Sequence, residues 1–277
     1  MTRNQTRFEV HGHRGARAIF PENTLEGFRY ALALGVDAIE IDVALTRDKV
    51  PVVVHDRALS AKLYRLKTPQ GLRALTEPTA LIKDLLAKDL ESLDIGSTTH
   101  PDFPKQQPSP GARIPLLREF VELMMADARK PTLNIEIKTH PVLHHETLTA
   151  EEFATAILDI LNAYKVPFSR VLFQSFDPGA ILAVKALEPR WRASFLVEAW
   201  SEYLPGITQE LGIEAVSPRW DLLDAERVEA LRAAGRDIYV WTANEPAEWE
   251  KLKSLGVNGI ITDDPAACLA FRRSCDP

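Results

Sequence analysis

The sequence is poor in cysteine and has no long hydrophobic run, and both absences exclude classes of protein. Its 277 residues include two cysteines, Cys268 and Cys275, which lie within the last ten positions. A pair this sparse excludes a disulfide framework and is typical of reduced thiols. No apolar stretch is long enough to span a bilayer, and the opening residues MTRNQTRFEV lack the apolar core of a signal peptide. We therefore predict a cytoplasmic protein without a stable membrane anchor.

Positive charge is also in deficit, with a formal net charge of −6 and scattered lysines and arginines. Such a chain has no general attraction for nucleic acid, so an anionic small molecule must be held by a few local cations. The sequence has no glycine-rich nucleotide loop, and no serine or cysteine beside a histidine suggests a nucleophile triad. The predicted helices are amphipathic in the ordinary way and show no surplus apolar stripe, so the oligomeric state is left open.

Eight short apolar runs alternate with longer segments whose apolar residues recur every three or four positions. The predicted strands cover residues 8–13, 38–46, 132–138, 171–176, 193–198, 215–220, 237–242 and 259–263. Strict alternation of strands and helices favours a (β/α)8 TIM barrel of the α/β class, and an open doubly wound sheet is the alternative. Because barrels of this size often form one domain, we predict a single domain over residues 1–277.

One apolar run breaks the alternation. Residues 50–56, VPVVVHD, follow the second predicted strand too closely for a helix to intervene, so the two runs are predicted to form an antiparallel hairpin. If Asp48 and Lys49 form its loop, His55 lies directly opposite Asp42. A slip of one residue in this register would turn His55 to the other face.

Residues 57–113 form a segment far longer than an ordinary connection in this fold. The segment contains a few short helical patches and six prolines, Pro69, Pro78, Pro101, Pro104, Pro108 and Pro110. Because loops that follow barrel strands lie on the catalytic face, we predict that the segment is an inserted lid or wall that reads the substrate. A mostly disordered linker is the alternative, although its leucines favour local packing.

Polar side chains are concentrated at the ends of the predicted strands, where barrel enzymes carry catalytic groups. These residues are His13, Arg14, Glu40, Asp42, Glu136, Lys138, Gln174, Glu198, Trp220, Trp241 and Asp263. Burying the carboxylates of Glu40, Asp42 and Glu136 at one barrel mouth is costly unless a positive charge compensates them. Because hard cations prefer oxygen ligands, the sequence predicts one divalent metal ion, Mg²⁺ or Ca²⁺, at these residues.

Two cations and two histidines accompany this acidic cluster. Arg14 and Lys138 beside a metal ion are typical of a phosphate site. His13 and His55 supply a general acid and a general base with reference pKa values near neutrality. The pattern therefore predicts phosphoester hydrolysis. His11, two residues before His13, is either a further catalytic candidate or a hydrogen-bonded residue inside the barrel.

The motifs occur in an order that resembles the glycerophosphodiester phosphodiesterase family. They are HRGARAIFPENTLEGF from His13, AIEIDVALT, VPVVVHD, NIEIK, QSFD, VWTAN and GIITDDP, and the similarity extends to about Pro265. The resemblance implies a metal-containing TIM barrel that hydrolyses glycerophosphodiesters to sn-glycerol 3-phosphate and an alcohol. It implies metal ligands at Glu40, Asp42 and Glu136, an acid and base pair at His13 and His55, and phosphate contacts at Arg14 and Lys138.

Several further residues are assigned supporting roles. The resemblance implies that Glu22 and Asn23 of the PENT motif support the site, and Asn23 is also a candidate cap for the first helix. Trp241 either stacks on the glycerol or headgroup or fills space as a structural tryptophan. Glu198, at the end of the fifth predicted barrel strand, is another supporting candidate.

The reaction itself leaves alternatives open. Attack by the adjacent glycerol hydroxyl would form a cyclic phosphate first, whereas direct attack by water would not need that hydroxyl. A lysophospholipase D or a cyclising phospholipase would use the same frame on acylated phosphodiesters, with an apolar surface to which Leu63, Tyr64 and Phe103 are candidate contributors. A barrel that binds phosphodiesters without cleaving them is the third alternative, but it would have no need of two histidines beside a metal ion.

Overall fold

The computed structural model describes residues 7–77, 79–140 and 142–275. Its strands, in chain order, are β1 (Glu9–Gly12), β2 (Ala38–Leu45), β3 (Pro51–Val53), β4 (Arg65–Thr68), β5 (Gly71–Ala74), β6 (Leu93–Asp94), β7 (Thr132–Ile137), β8 (Val171–Ser175), β9 (Arg192–Val197), β10 (Ala215–Pro218), β11 (Asp237–Val240) and β12 (Gly259–Thr262). Its α-helices are α1 (Leu25–Leu34), α2 (Leu117–Ala126), α3 (Ala150–Ala163), α4 (Pro178–Leu187), α5 (Leu204–Glu210), α6 (Ala225–Ala233), α7 (Pro246–Leu255) and α8 (Pro265–Cys275).

Eight parallel strands close a barrel in the order β1, β2, β7, β8, β9, β10, β11 and β12. Closure is complete because β1 pairs with β12 on one side and with β2 on the other. Helices separate successive barrel strands along the chain. The predicted (β/α)8 TIM barrel is therefore confirmed, and the open-sheet alternative is wrong.

Local sequence signals explain where several helices begin. The Thr149 hydroxyl accepts from the Glu152 backbone, and the Glu152 carboxylate accepts in return from the Thr149 backbone, which forms the predicted capping box of α3. The predicted cap at Asn23 is wrong, because the hydroxyl of Thr24 accepts from the Gly27 backbone and caps α1 instead. This arrangement leaves the Asn23 side chain available to the barrel.

The hairpin of β2 and β3 differs from its predicted register by one residue. Val43 lies opposite Val53, so the residue opposite Asp42 in this register is Val54 and not His55. The loop is longer by one residue than predicted, because Lys49 takes a left-handed backbone conformation with a φ of 60°. His55 follows the end of β3, where the strand ladder no longer fixes the direction of its side chain.

The inserted segment folds against the hairpin. Strands β4, β5 and β6 form a small antiparallel sheet within it. Apolar side chains of this segment pack with Val52 and Val54 into a separate core, among them Tyr64, Ile82 and Leu90. A mostly disordered linker is therefore wrong for the described part of the segment; Pro78 lies outside the described residues.

The main apolar core lies between the strands and the surrounding helices, where Phe28, Phe120, Phe153 and Trp191 are almost fully buried. The inside of the barrel is more polar, since several buried side chains there carry hydrogen-bonding groups, including His11, Asn134, Ser194 and Ser217. Among the described residues, none of the helices has both the length and the apolarity needed to cross a membrane.

The tight turn that follows β1 can be tested at Gly12, with Gly206 of α5 as the control. A Cβ atom added at Gly12 would lie 2.0 Å from the Gly15 carbonyl oxygen, whereas one added at Gly206 in α5 would meet no atom within 4 Å. We expect Gly12→Ala to lower the free energy of unfolding by about 2 kcal/mol or more through overpacking. We expect Gly206→Ala to raise it by about 0.5 kcal/mol, because alanine favours helix. Urea unfolding measures both, and equal effects would contradict this account of the turn.

Candidate active site

A cavity of about 230 Å³ opens at the carboxyl ends of the barrel strands. It collects side chains from strand ends that are far apart in the sequence. Its lining consists of His13, Arg14, Arg17, Glu40, His55, Glu136, Lys138, Gln174, Phe176, Leu196, Trp241, Thr242 and Ile261. Most of the residues singled out at the strand ends therefore meet in one place.

Three buried carboxylates are clustered at this cavity, and two of them, Glu40 and Glu136, line it. Glu40, Asp42 and Glu136 each offer an oxygen atom within 4.8 Å of the others, and their side chains belong to neighbouring strands β2 and β7. Burial, together with the charges of Asp42 and Glu136, raises the pKa of Glu40 well above its ordinary value. The cluster therefore carries an electrostatic cost that a bound cation would relieve.

The two cations beside the cluster compensate it only in part. Lys138 Nζ donates to Glu136 Oε1 at 2.6 Å and lies 3.4 Å from Asp42 Oδ1. Arg14 Nε lies 3.2 Å from Asp42 Oδ2, but the same guanidinium donates to Glu22 Oε1 at 2.8 Å. Because Arg14 is shared with a fourth carboxylate, negative charge exceeds positive charge at this cluster.

The donor set fits a hard divalent cation. Asp42 Oδ1 is buried and accepts no hydrogen bond within the described part of the chain. Burial alone would raise the pKa of Asp42, but Arg14, and after it His55 and Lys138, hold that pKa well below its usual range. Asp42 is therefore ionised, and its Oδ1, which accepts no hydrogen bond, is placed to act as a ligand of Mg²⁺ or Ca²⁺.

The turn between β1 and α1 holds Arg14 and Asn23 in left-handed backbone conformations, with φ values of 49° and 54°. This geometry aims the Arg14 backbone N–H at Glu40 Oε2 at 3.0 Å, and the Asn23 backbone N–H at the Arg14 carbonyl at 3.0 Å. The Asn23 side chain then donates to Asp42 Oδ2 at 2.9 Å. Strained backbone at these residues is compensated by hydrogen bonds that orient two of the three carboxylates.

His13 is oriented by a buried carboxylate. Its Nδ1 lies 2.6 Å from Asp263 Oδ1, and Asp263 Oδ2 accepts from the Asn244 side chain at 2.8 Å. Burial would raise the pKa of Asp263, but His13 lowers it to about 2. An ionised Asp263 can only accept hydrogen bonds, so we assign the proton to His13 Nδ1. His13 Nε2 then faces the cavity, 3.9 Å from Glu40.

His55 reaches the same cavity from the other side, although its predicted register was wrong. Its Nδ1 lies 2.7 Å from Asp56 Oδ1, and about a third of its side chain is exposed. The two histidines thus share a pattern in which a carboxylate faces Nδ1 and leaves Nε2 for the cavity. They differ in that the partner of His13 is buried and the partner of His55 is exposed.

An apolar face completes the cavity opposite the charged groups. Trp241 lines it while its Nε1 donates to the Ser217 carbonyl at 2.7 Å. The ring of Phe176 meets Trp241 edge to face, with 5.3 Å between the ring centroids. Trp241 is therefore both anchored in the barrel wall and presented to whatever fills the cavity.

Several sequence candidates are not part of the cavity lining: Asp42, Glu22, Asn23 and Asp263 contact residues that line it, whereas Glu198 and His11 have no such role. Glu198 follows the end of β9 and is exposed, while Leu196 is the residue of that strand that lines the cavity. His11 is fully buried inside the barrel, with Nε2 3.0 Å from Glu9 and Nδ1 3.3 Å from Asn134. The structure thus favours the hydrogen-bonded interpretation of His11.

Several residues that contact the site had no role predicted from the sequence. Gln174 Nε2 donates to Glu40 Oε1 at 3.1 Å, and both Gln174 and Asp263 stood among the polar strand ends. Asn244 had a signal only in the VWTAN motif, which the resemblance includes. Arg17, whose Nε lies 2.6 Å from Glu22 Oε2, likewise had a signal only in the HRGARAIFPENTLEGF motif.

A TIM barrel whose mouth combines buried carboxylates, two histidines and two cations has the chemistry of a phosphoester hydrolase. The model of the glycerophosphoryl diester phosphodiesterase family matches residues 13–267. The chain therefore belongs to this family and is an enzyme, a phosphoric diester hydrolase.

Individual relatives are similar to this chain over nearly its whole length. A glycerophosphodiester phosphodiesterase from Caldanaerobacter subterraneus is 30% identical over 271 residues, covering 95% of this chain and 97% of its own. A solved structure from Silicibacter pomeroyi DSS-3 has a TM-score of 0.89 and 30% identity, and the match covers 96% of this chain and 93% of the other. An Oleispira antarctica phosphodiesterase, solved in complex with the product sn-glycerol-3-phosphate, has a TM-score of 0.77 and 26% identity, with coverages of 95% and 96%.

The pairing of His13 with Asp263 gives a direct test of the site. We expect Asp263→Asn to lower kcat by about 10²-fold, because the amide no longer fixes the Nδ1–H tautomer. Glu198→Gln, at an exposed residue outside the cavity, is the control and should leave kcat unchanged. Steady-state kinetics on a glycerophosphodiester compares the two variants. Near-normal kcat in Asp263→Asn would show that the contact with His13 does not matter for turnover.

Proposed function

We propose that this enzyme hydrolyses glycerophosphodiesters to sn-glycerol 3-phosphate and an alcohol, with a divalent metal ion and two histidines. The observation that carries the proposal is the convergence, in one cavity, of the carboxylates Glu40 and Glu136 with His13 and His55. The Oleispira relative, which contains sn-glycerol-3-phosphate, supports the choice of substrate. The product of this reaction would be a small anion, which the metal ion, Arg14 and Lys138 would hold against the negative charge of the carboxylates.

Glu40, Asp42 and Glu136 would hold the metal ion. The orphaned Oδ1 of Asp42 and the excess of buried negative charge support this assignment. When bound, Mg²⁺ or Ca²⁺ would supply Lewis-acid stabilisation of charge on the phosphate oxygens. Gln174 and Asn23 would keep two of the carboxylates in position through their side-chain amides.

The cationic side chains would bind and orient the phosphodiester. Arg14 and Lys138 line the cavity on the same side as the carboxylates, within reach of a phosphate that lies over them. His13 and His55 would exchange protons at Nε2, one taking a proton from the nucleophile and the other giving one to the leaving alcohol. Asp263 and Asp56 would stabilise whichever ring becomes positively charged.

The apolar face of Trp241 and Phe176 would contact the carbon atoms of the glycerol. A hydroxylated three-carbon chain presents both C–H and O–H groups, which suits a cavity with one apolar and one charged side. The nucleophile is then either the neighbouring glycerol hydroxyl or water.

The alternative of an acylated substrate finds little support in the insertion. Tyr64 is buried in the core of the insertion. The ring of Phe103 is covered by the Arg17 guanidinium at 4.7 Å and by the ring of His100. Of the three candidate residues, Leu63 lines the cavity beside the active site, and Tyr64 and Phe103 do not extend it into an apolar track for an acyl chain.

Metal binding is testable without catalysis. We expect saturating Mg²⁺ or Ca²⁺ to raise the Tm of EDTA-treated protein by about 5 °C or more, because the ion binds only the folded chain. Asp42→Asn should abolish the shift, since the amide replaces a charged ligand. The measurement is a thermal scan with and without metal, and Asp48→Asn in the exposed hairpin loop is the control. An undiminished shift in Asp42→Asn would contradict the assigned ligand.

The histidine assignment is testable by kinetics. We expect His13→Ala and His55→Ala each to lower kcat by about 10²-fold or more, because each removes one proton transfer. His144→Ala, at an exposed residue in the loop after β7, should leave kcat unchanged. Near-normal turnover in either cavity variant would contradict its assigned role.

The nucleophile is testable with a substrate that lacks the glycerol hydroxyl next to the phosphoester. If that hydroxyl attacks, the enzyme should fail on such a diester, and a cyclic phosphate should precede glycerol 3-phosphate in a stopped reaction. Turnover of the deoxygenated diester would instead establish attack by water. Phosphorus NMR distinguishes the cyclic and the linear products.

A further inference from the structure

A second cavity, of about 280 Å³, adjoins the first. Arg14, Arg17 and His55 line both cavities, so these three side chains face the two spaces at once. The other walls of the second cavity come largely from the insertion. A diester whose phosphate lies against Arg14 can therefore extend one of its two alcohols into each cavity.

The outer wall of the second cavity is tied to the turn that carries the catalytic residues. Gln106 Nε2 donates to the Arg17 carbonyl at 2.7 Å, and the Gln107 backbone donates to the Ile19 carbonyl at 2.7 Å. The Arg17 side chain lies over the ring of Phe103. These contacts fix the wall relative to Arg17, so the cavity is a built feature of the fold.

The lining of the second cavity has mixed polarity and no surplus of either charge. The lining contains three cationic side chains and three carboxylates, which are Arg14, Arg17 and Lys62 and Glu22, Asp56 and Asp102. Burial, followed by the nearby Arg17, lowers the pKa of His100, which keeps that ring neutral. The lining therefore offers both hydrogen-bond donors and acceptors, together with the apolar side chains of Leu63 and Pro101.

Phenylalanine, tyrosine and tryptophan are absent from the described lining of this cavity, where the rings are the imidazoles of His55 and His100. The face of Phe103, close to the wall, is already occupied by Arg17. Proteins that recognise quaternary ammonium groups surround them with aromatic faces or with surplus negative charge. The second cavity offers neither feature.

We propose that the second cavity binds the leaving alcohol of the diester and selects an uncharged polyol, such as glycerol or inositol. The inference rests on the proposed function and adds the class of alcohol to it. Hydroxyl groups both donate and accept, so a polyol can satisfy Ser60, Lys62 and Asp102 together. The trimethylammonium group of choline has no hydrogen-bond donor or acceptor, so it would gain none of the hydrogen bonds that a polyol can make with these side chains.

The first test compares substrates on the unmodified enzyme. We expect kcat/KM for glycerophosphoglycerol and glycerophosphoinositol to exceed that for glycerophosphocholine by about tenfold or more, as one or two additional hydrogen bonds would give. An equal or higher value for glycerophosphocholine would overturn the inference and leave the proposed function intact. Failure to cleave any of the three would overturn the proposed function and this inference with it.

The second test removes the polar rim of the cavity. In the double variant Lys62→Met/Asp102→Ala, we expect KM for glycerophosphoglycerol to rise about threefold to tenfold with little change in kcat. KM for glycerophosphocholine should not change.

The matched control is Lys67→Met/Asp84→Ala, which also removes one exposed lysine and one exposed aspartate from the insertion but does not touch the cavity. It should leave both KM values unchanged. If the cavity variant alters neither substrate, or alters both equally, the second cavity does not read the alcohol and the inference fails.

Discussion

The rest of the site depends on the burial of three carboxylates within 4.8 Å of one another at the mouth of the barrel. In a folded protein such a cluster is unfavourable unless it is compensated, because each charge loses its hydration and repels the others. The surrounding structure supplies that compensation in fixed positions. Lys138 comes from the strand of Glu136, the Arg14 backbone donates to Glu40, and Gln174 comes from the next strand. These groups leave part of the negative charge of the carboxylates uncompensated, and a bound divalent cation would neutralise it.

The same constraint explains why the turn after β1 is strained. Gly12 passes so close to the Gly15 carbonyl that a Cβ atom has no room, and Arg14 and Asn23 both take left-handed conformations. Each of these costs free energy that an ordinary turn would not need. Together they place the Arg14 guanidinium and the Asn23 side-chain amide against Asp42, and the Arg14 backbone N–H against Glu40. The strain is thus localised where it orients charge.

The strand order, the barrel and the acidic cluster follow from the sequence because they depend on local periodicity and on the rule that strand ends meet. The hairpin register does not, because it depends on one lysine adopting a left-handed conformation. The pairing of His13 with Asp263 joins residues 250 positions apart, so only the closed barrel brings them together. The contact of Arg17 with Phe103 depends on an insertion whose fold has no simple sequence period, so the sequence does not predict it.

If the three carboxylates hold a metal ion as proposed, the reaction in the first cavity must depend on that ion. The most direct measurement is the release of glycerol 3-phosphate from a glycerophosphodiester by EDTA-treated enzyme, before and after Mg²⁺ or Ca²⁺ is restored. We expect negligible release without metal and recovery of turnover when the ion is returned. Full activity after removal of the metal would contradict the central role given to Glu40, Asp42 and Glu136.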